Sequence, residues 1–394
     1  MMNCLLSVAS VFKYIGYIFI AILVLLLMVL IHELGHYVAG KILKFKINEF
    51  SVGFGPKILQ KTKKNGEKIS LRAFPLGGYC AFEGEDEHGN ASPQAFNNQK
   101  PWKRLIVLFS GAFFNFLSAI IFSFILLLSN GYDLVQVNTI SASSINYQVV
   151  NGLQENDVIY GVEGQKIDFV KDKYLTTLIT DGILERYGDY IGDDIALEQN
   201  TFEQNGKTYY MVLCELTFNV ERDNKKTNSI ANINVIYNQQ GEYAGWSMLS
   251  HNDATENEFS FKTYKYSFGE ALLQAVPFTC KWAWKVLVIF GQLITGQLSI
   301  TSLGGPVTTI NMIATSTQTN ALNVLILLPV IAVNLAVFNL LPIPALDGFQ
   351  MIFVTIEWIR KKPIKREIIN AINNIGLIVL LGFVIVVDIL QFVL

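Results

Sequence analysis

The chain has 394 residues, of which 51% are hydrophobic and only 16% charged, with a net charge of −2 and a mean hydropathy of +0.37. So low a charged fraction points to a membrane protein with a sizeable water-exposed part, and a near-neutral balance without a Lys/Arg block argues against nucleic acid as a partner. Four scattered cysteines (Cys4, Cys80, Cys214, Cys280) form no CxxC pair and argue against both a disulfide framework and a thiolate metal site.

A helix needs about 20 mostly apolar residues to cross a bilayer core. Residues 14–39, 105–129, 321–341 and 372–394 meet that requirement. The first of these is too long for the core of a signal peptide and runs on through a His/Glu cluster. A fifth apolar stretch, 271–297, is interrupted by Gln274, Pro277, Lys281, Lys285 and Gln292.

Lys and Arg set the expected orientation. Twelve of them fall in 41–104 and five more in Arg360–Arg366, whereas 130–270 is acidic, with Asp189, Asp193, Asp194 and Glu198 in one run. Both basic loops are therefore expected in the cytoplasm, with the acidic region and both chain ends outside. A crossing at 271–297 would force Arg360–Arg366 outside, so that stretch is expected to lie at the outer surface as an amphipathic helix.

Within the first span stands Ile31-His32-Glu33-Leu34-Gly35-His36. Histidines four apart share one helix face and reach one metal, while the glutamate between them is placed to take a proton from water activated by that metal. Ionisable groups in an apolar span cost on the order of 2.5–3.5 kcal/mol each when charged, which favours a functional reading. The competing reading puts these residues at the cytoplasmic interface; it suits His36 better than His32, which lies roughly 12 Å inside Gly40 at about 1.5 Å per residue.

Catalytic zinc takes three protein ligands and leaves a position open. His88 and His251 sit in polar segments. The best third candidate is Asp347, in Asn339-Leu340-Leu341-Pro342-Ile343-Pro344-Ala345-Leu346-Asp347-Gly348, where the prolines break the helix and bend the chain inward. A solvated aspartate in a helix-ending turn reads equally well on spacing alone.

Several ordered segments resemble the site-2 protease family of intramembrane metalloproteases, in its bacterial regulator-of-sigma-E form. They are HELGH (32–36), FSVGFGPKI (50–58), FPLGGYCAFEGED (74–86), GAFFN (111–115), LGGPV (303–307) and NLLPIPALDG (339–348). Phe349 stands where the family often has a second glycine. The resemblance implies Zn2+ held by His32, His36 and Asp347, with Glu33 as general base. It further implies Asn339 and Pro342 as holders of an unwound substrate strand, with Gly111 and Asn115 close to the site and Asn115 a further substrate-binding candidate. The glycine-rich segments resemble a β-hairpin that dips into the bilayer, open to edge addition of substrate.

Residues 131–250 read as an external β-rich domain, in which Gly152–Ile159 and Val162–Ile167 resemble middle PDZ strands and 170–208 an insertion. The expected fold class is a polytopic α-helical membrane protein with four transmembrane helices, a membrane-associated β-hairpin region and one external PDZ-like domain. Its segments are 1–130, 131–250, an interfacial helix in 251–298, and 299–394. The implied function is zinc-dependent cleavage of single-span membrane proteins, such as anti-sigma factors and remnant signal peptides, in a bacterial inner membrane. There the PDZ region would filter substrates by size after an earlier external cut. A metal transporter and a catalytically inert scaffold are the competing classes. The HExxH glutamate, the few spans and the PDZ-like region weigh against the first, and the complete set of ligands and base against the second.

Overall fold

The first helix, α1 (Val8–Ile42), is uniformly apolar from Ile18 to Ile31, and His32, Glu33, His36 and Lys41 follow in its last three turns. A computed structural model describes residues 8–84, 92–188, 201–204, 206–249 and 258–393. His88, His251, Gly192, Asp189, Asp193, Asp194 and Glu198 lie outside the described residues. The chain forms two units, one of Met1–Ile125 with Ala271–Leu394 and one of Leu126–Glu270.

After α1 come two long strands, β1 (Ile47–Thr62) and β2 (Lys68–Phe82). Each is bent, so that together they make four antiparallel rows. Phe50 pairs with Cys80 on one side and Ile69 on the other, while Lys61 also pairs with Ile69. The bends fall at Gly53 and Gly55, both at positive φ, where a Cβ on Gly53 would stand 2.8 Å from the Phe74 carbonyl oxygen. Arg72 staples the bent strands. It donates to Glu49 (2.8 Å), Tyr79 (2.6 Å), the Gly55 carbonyl (2.8 Å) and Ser51 (3.1 Å). Phe54, Ile58, Leu59 and Phe74 remain exposed, an apolar face out of place on a water-soluble hairpin.

The turn of the hairpin is tied back to α1. Buried Glu67 accepts from Lys41, from Lys63 (3.0 Å) and from Tyr37 (2.8 Å).

Helix α2 (Pro101–Ser129) follows, and α4 (Phe268–Ile294), α5 (Pro306–Thr319), α6 (Val324–Leu340), α7 (Asp347–Arg360) and α8 (Arg366–Val393) complete the helical unit. Met28 of α1, Ala119 of α2, Val286 of α4, Ile313 of α5 and Ile331 of α6 meet in one apolar core. Among the described residues, four helices are long and apolar enough to cross a membrane: Phe12–Ile42, Pro101–Ser129, Phe268–Ile294 and Glu367–Gln391. The count matches the expectation, but its membership differs. In the stretch expected as the third span, Ala321–Asn323 is a 3-10 turn, and the helix that follows has 17 residues, or about 25 Å at 1.5 Å each. In 271–297 the polar residues are too few to take the 27-residue helix below the apolarity of a span.

The segment LGGPV has a structural use. Asp388 of α8 accepts from the Val307 and Thr308 amides and the Thr308 hydroxyl, capping the exposed N–H groups at the start of α5. A Cβ on Gly305 would stand 2.5 Å from that carboxylate.

The second unit is a β-rich domain. Its antiparallel sheet runs in the order β10 (Phe259–Thr263), β3 (Val135–Ile140), β4 (Val158–Val162), β7 (Lys207–Arg222), β8 (Lys225–Tyr237), β9 (Tyr243–Ser247), with β5 (Gln165–Lys166) beside β4 and β6 (Thr201–Gln204) beside β7. Within the stretch read as an insertion, α3 (Leu175–Tyr187) buries Leu178, Ile179 and Ile183 in the same core as Ile159, Phe218 and Ile233. That part of 170–208 is a core element of the domain.

Burial pushes the Glu67 carboxyl upward, but the hydrogen bonds from Lys41, Lys63, Tyr37 and Asn65 outweigh it and hold it down at about 2. The folded value lies below the ordinary one, so the stabilisation is complete above pH of about 4.5 and is lost as pH falls toward 2. A spin label at position 64 should gain mobility over that interval, and Glu67→Gln should show the same mobility at pH 7. An unchanged spectrum in Glu67→Gln would remove Glu67 as the anchor of the hairpin.

Candidate metal centre

The site begins with a close approach of two backbones. A Cβ on Gly35 of α1 would stand 2.3 Å from the Ser110 carbonyl oxygen and 3.0 Å from the Gly111 Cα of α2. No other residue type lets these helices meet here. At that crossing the Val107 carbonyl oxygen comes within 2.8 Å of His36 Nδ1. A carbonyl only accepts, so Nδ1 carries the proton and Nε2 presents its lone pair.

His32, one turn earlier, stands edge-on to His36, with ring centroids 4.7 Å apart. The two Nε2 atoms are 3.1 Å from each other, and Asp347 Oδ2 is 3.0 Å from one and 3.3 Å from the other. Oδ2 is buried and accepts no hydrogen bond of proper direction from either ring, so three lone pairs converge on one point. Donors at about 2.0–2.2 Å from one tetrahedral ion are spaced about this far apart. Gly111 borders the same point: a Cβ there would lie 2.5 Å from His36 Nε2 and 2.6 Å from His32 Cε1. The cradle thus has donors, spacing and room that suit zinc.

Asp347 arrives as the first residue of α7, where the helix dipole favours a carboxylate. Between α6 and α7 the chain turns through Pro342 and Pro344, with Ala345 at φ 75°. Gly348 permits the turn, because a Cβ there would stand 2.3 Å from the Leu340 carbonyl oxygen. Gly376 of α8 closes over it against Pro344. Phe349, in place of a second glycine, packs on Phe353 one turn along α7, at 4.8 Å between centroids, and leaves the turn intact.

His32 Nδ1 faces the side-chain amides of Asn115 and Asn339, each 3.4 Å away. Asn115 Oδ1 is buried without a partner. An amide turned about its last torsion exchanges O for N at almost no change in shape. Turned so, Asn115 accepts from His32 Nδ1–H and leaves the His32 Nε2 lone pair free, as Val107 does for His36.

A cavity of about 680 Å³ opens from these groups, lined by Glu33, Asn115, Asn339 and the strand residues Tyr79, Cys80, Ala81 and Phe82. The Cys80 amide donates to Glu33. The structure thus brings together His32, Glu33, His36, Asp347, Asn115 and Asn339. Pro342 is exposed and does not line the cavity. Sequence reading missed the Val107 carbonyl, which acts through the backbone, whereas the edge of β2 falls in FPLGGYCAFEGED, a segment already read as part of a hairpin open to edge addition. GAFFN places Gly111 close to the site without saying that its missing side chain borders the point where the donors converge.

The sequence of residues 20–383 matches the model of peptidase family M50. The chain belongs to that family. Three relatives, each provisionally named a zinc metalloprotease, support the placement. One from Clostridium perfringens is 27% identical over 95% of this chain and 97% of its own. One from Fusobacterium nucleatum subsp. nucleatum is 28% identical over 94% and 96%. One from a Nostoc species is 29% identical over 92% of each. The M50 chain is therefore a zinc metalloprotease carrying several membrane-type helices, and the resemblance to site-2 proteases holds.

Gly111→Ala should abolish zinc retention while changing no donor atom, since its methyl group would occupy the ion's place. His36→Ala and Asp347→Ala should lose zinc as well, against about one zinc per wild-type chain. Metal content of the detergent-purified protein decides this, and full occupancy in Gly111→Ala would place the ion elsewhere.

Proposed function

We propose that this chain is an intramembrane endopeptidase that cuts the membrane spans of single-span proteins, with His32, His36 and Asp347 holding zinc and Glu33 as general base. One observation carries the reading: three convergent donors and Glu33 line a cavity among apolar helices, bordered by a strand with an open edge. Tyr79–Phe82 pair with β1 on one side only and line that cavity on the other. A substrate span, unwound locally, adds to this edge as an extended strand, its freed backbone groups satisfied inside the protein.

Zinc, when bound, supplies a Lewis acid that polarises a carbonyl and acidifies water. Glu33 takes the proton from the attacking water and passes it to the leaving amide nitrogen. The Cys80 amide aims the Glu33 carboxylate. Asn339, on the cavity wall beside His32, holds the substrate carbonyl next to the cut. Asn115 serves His32 rather than substrate, and Pro342 shapes the turn that delivers Asp347.

The side assignment follows the Lys and Arg distribution. Loops 41–104 and 342–371 are cytoplasmic and the β-rich domain is external. The meeting of Asp347 with His32 and His36 supports it, because the end of α6 then lies on the same side as the end of α1. On this reading α6, short as it is, passes through the protein interior as the third crossing and α4 lies along the outer surface. The β-rich domain is PDZ-like and acts as a size filter, so substrates such as anti-sigma factors and remnant signal peptides reach the site after an external cut.

The test is Glu33→Gln, with zinc content and cleavage of a single-span reporter measured together. Zinc should stay, and cleavage should fall by about 10²–10⁴-fold or more. Undiminished cleavage would sink the assignment of Glu33 and with it the hydrolytic mechanism.

A further inference from the structure

A second cavity, of about 710 Å³, opens where the start of α2 meets the end of α7. Arg104, Glu357, Trp358, Lys361 and Lys362 line it. Arg104 is 6% exposed, donates to Glu357 at 2.7 Å, and stacks over Phe96 at 5.2 Å. Its Nε is buried with no hydrogen-bond partner. Both Glu357 oxygens are engaged, one by Arg104 and the other by the Ile364 amide at 3.0 Å. Lys361 and Lys362 are exposed and have no carboxylate partner among the described residues. Three cations against one carboxylate leave the cleft with a surplus of two positive charges.

Beside the cleft the surface turns apolar and aromatic. Trp102 is 42% exposed, Trp358 51% and Ile359 77%. Tryptophan next to lysine at a helix end is the composition of the headgroup level of a bilayer. A basic pocket between helices at that level suits the phosphate of a lipid.

We propose that this cleft binds an anionic phospholipid of the cytoplasmic leaflet. Its phosphodiester sits among Arg104, Lys361 and Lys362, and its chains run along Trp102 and Ile359. The exposed apolar side distinguishes a lipid from a free phosphate, which has no use for it.

The test is native mass spectrometry of the full chain in neutral detergent, titrated with dioctanoyl phosphatidylglycerol, dioctanoyl phosphatidylcholine and inorganic phosphate. One saturable phosphatidylglycerol adduct per chain is expected, with none of comparable affinity from phosphatidylcholine. Lys361→Gln with Lys362→Gln should weaken it roughly 30-fold, at about 1 kcal/mol per lysine near the lipid surface, with zinc content unchanged. Lys225→Gln with Lys226→Gln, an equal loss of charge in the β-rich domain, should leave it intact. Equal binding by the 361/362 variant or by phosphatidylcholine overturns the proposal. Inorganic phosphate that binds as tightly and displaces the lipid overturns the lipid as occupant. Should the lysine variant not fold, tryptophan quenching by brominated phosphatidylglycerol serves instead: it should be smaller in Trp358→Phe than in wild type, and equal quenching in the two overturns the site.

Discussion

The site depends on the contact of α1 with α2 at Gly35 and Gly111. Helices normally pack at 8–10 Å, held apart by their side chains. Here two glycines remove that spacing, so that main chain meets main chain. Only then does the Val107 carbonyl reach His36, and only then do the two imidazoles and Asp347 converge without a side chain between them. The two glycines serve different ends: Gly35 sets how near α2 comes, and Gly111 keeps clear the point on which His32, His36 and Asp347 converge. A larger residue at either position would disturb the centre without removing a donor atom.

How legible this was in the sequence depended on how local each feature is. His32, Glu33 and His36 lie within one turn of helix, and a fixed 3.6-residue period relates them without any tertiary information. Asp347 is more than three hundred residues away, and its spacing alone left a solvated turn as an equal alternative. Only its place in an ordered series of motifs favoured it. The Val107 carbonyl bears no residue signature at all, since every residue has one. The doubled-back pairing of β1 and β2 was hidden in the same way. Gly53, Gly55 and Pro56 announce a bend, yet nothing local says which rows it brings together.

Helices were easier to find than to place. The sequence counts α6 as a span and sets α4 aside on the Lys/Arg distribution, whereas by helix length and apolarity α4 qualifies and the 17-residue α6 does not. α6 has Ile331, Ala332, Val333 and Ala336 buried, so much of its surface is matched by protein rather than lipid. A stretch that borders other helices has less need of full span length. In the β-rich domain, α3 lies in the stretch that reads as an insertion because its glycine and charges resemble a loop, yet the apolar spacing of Leu175, Leu178, Ile179 and Ile183 carries it into the core.

The cavity beside Glu33 has a consequence for the second reactant. At about 30 Å³ per molecule in the liquid, 680 Å³ corresponds to roughly twenty waters. On the proposed reading, a cavity of that size has room for many waters beside Glu33, so hydrolysis there would not need one molecule conducted across hydrocarbon in each turnover. A peptide added along the β2 edge would displace much of that water, and its release would contribute to the strength with which the peptide is held.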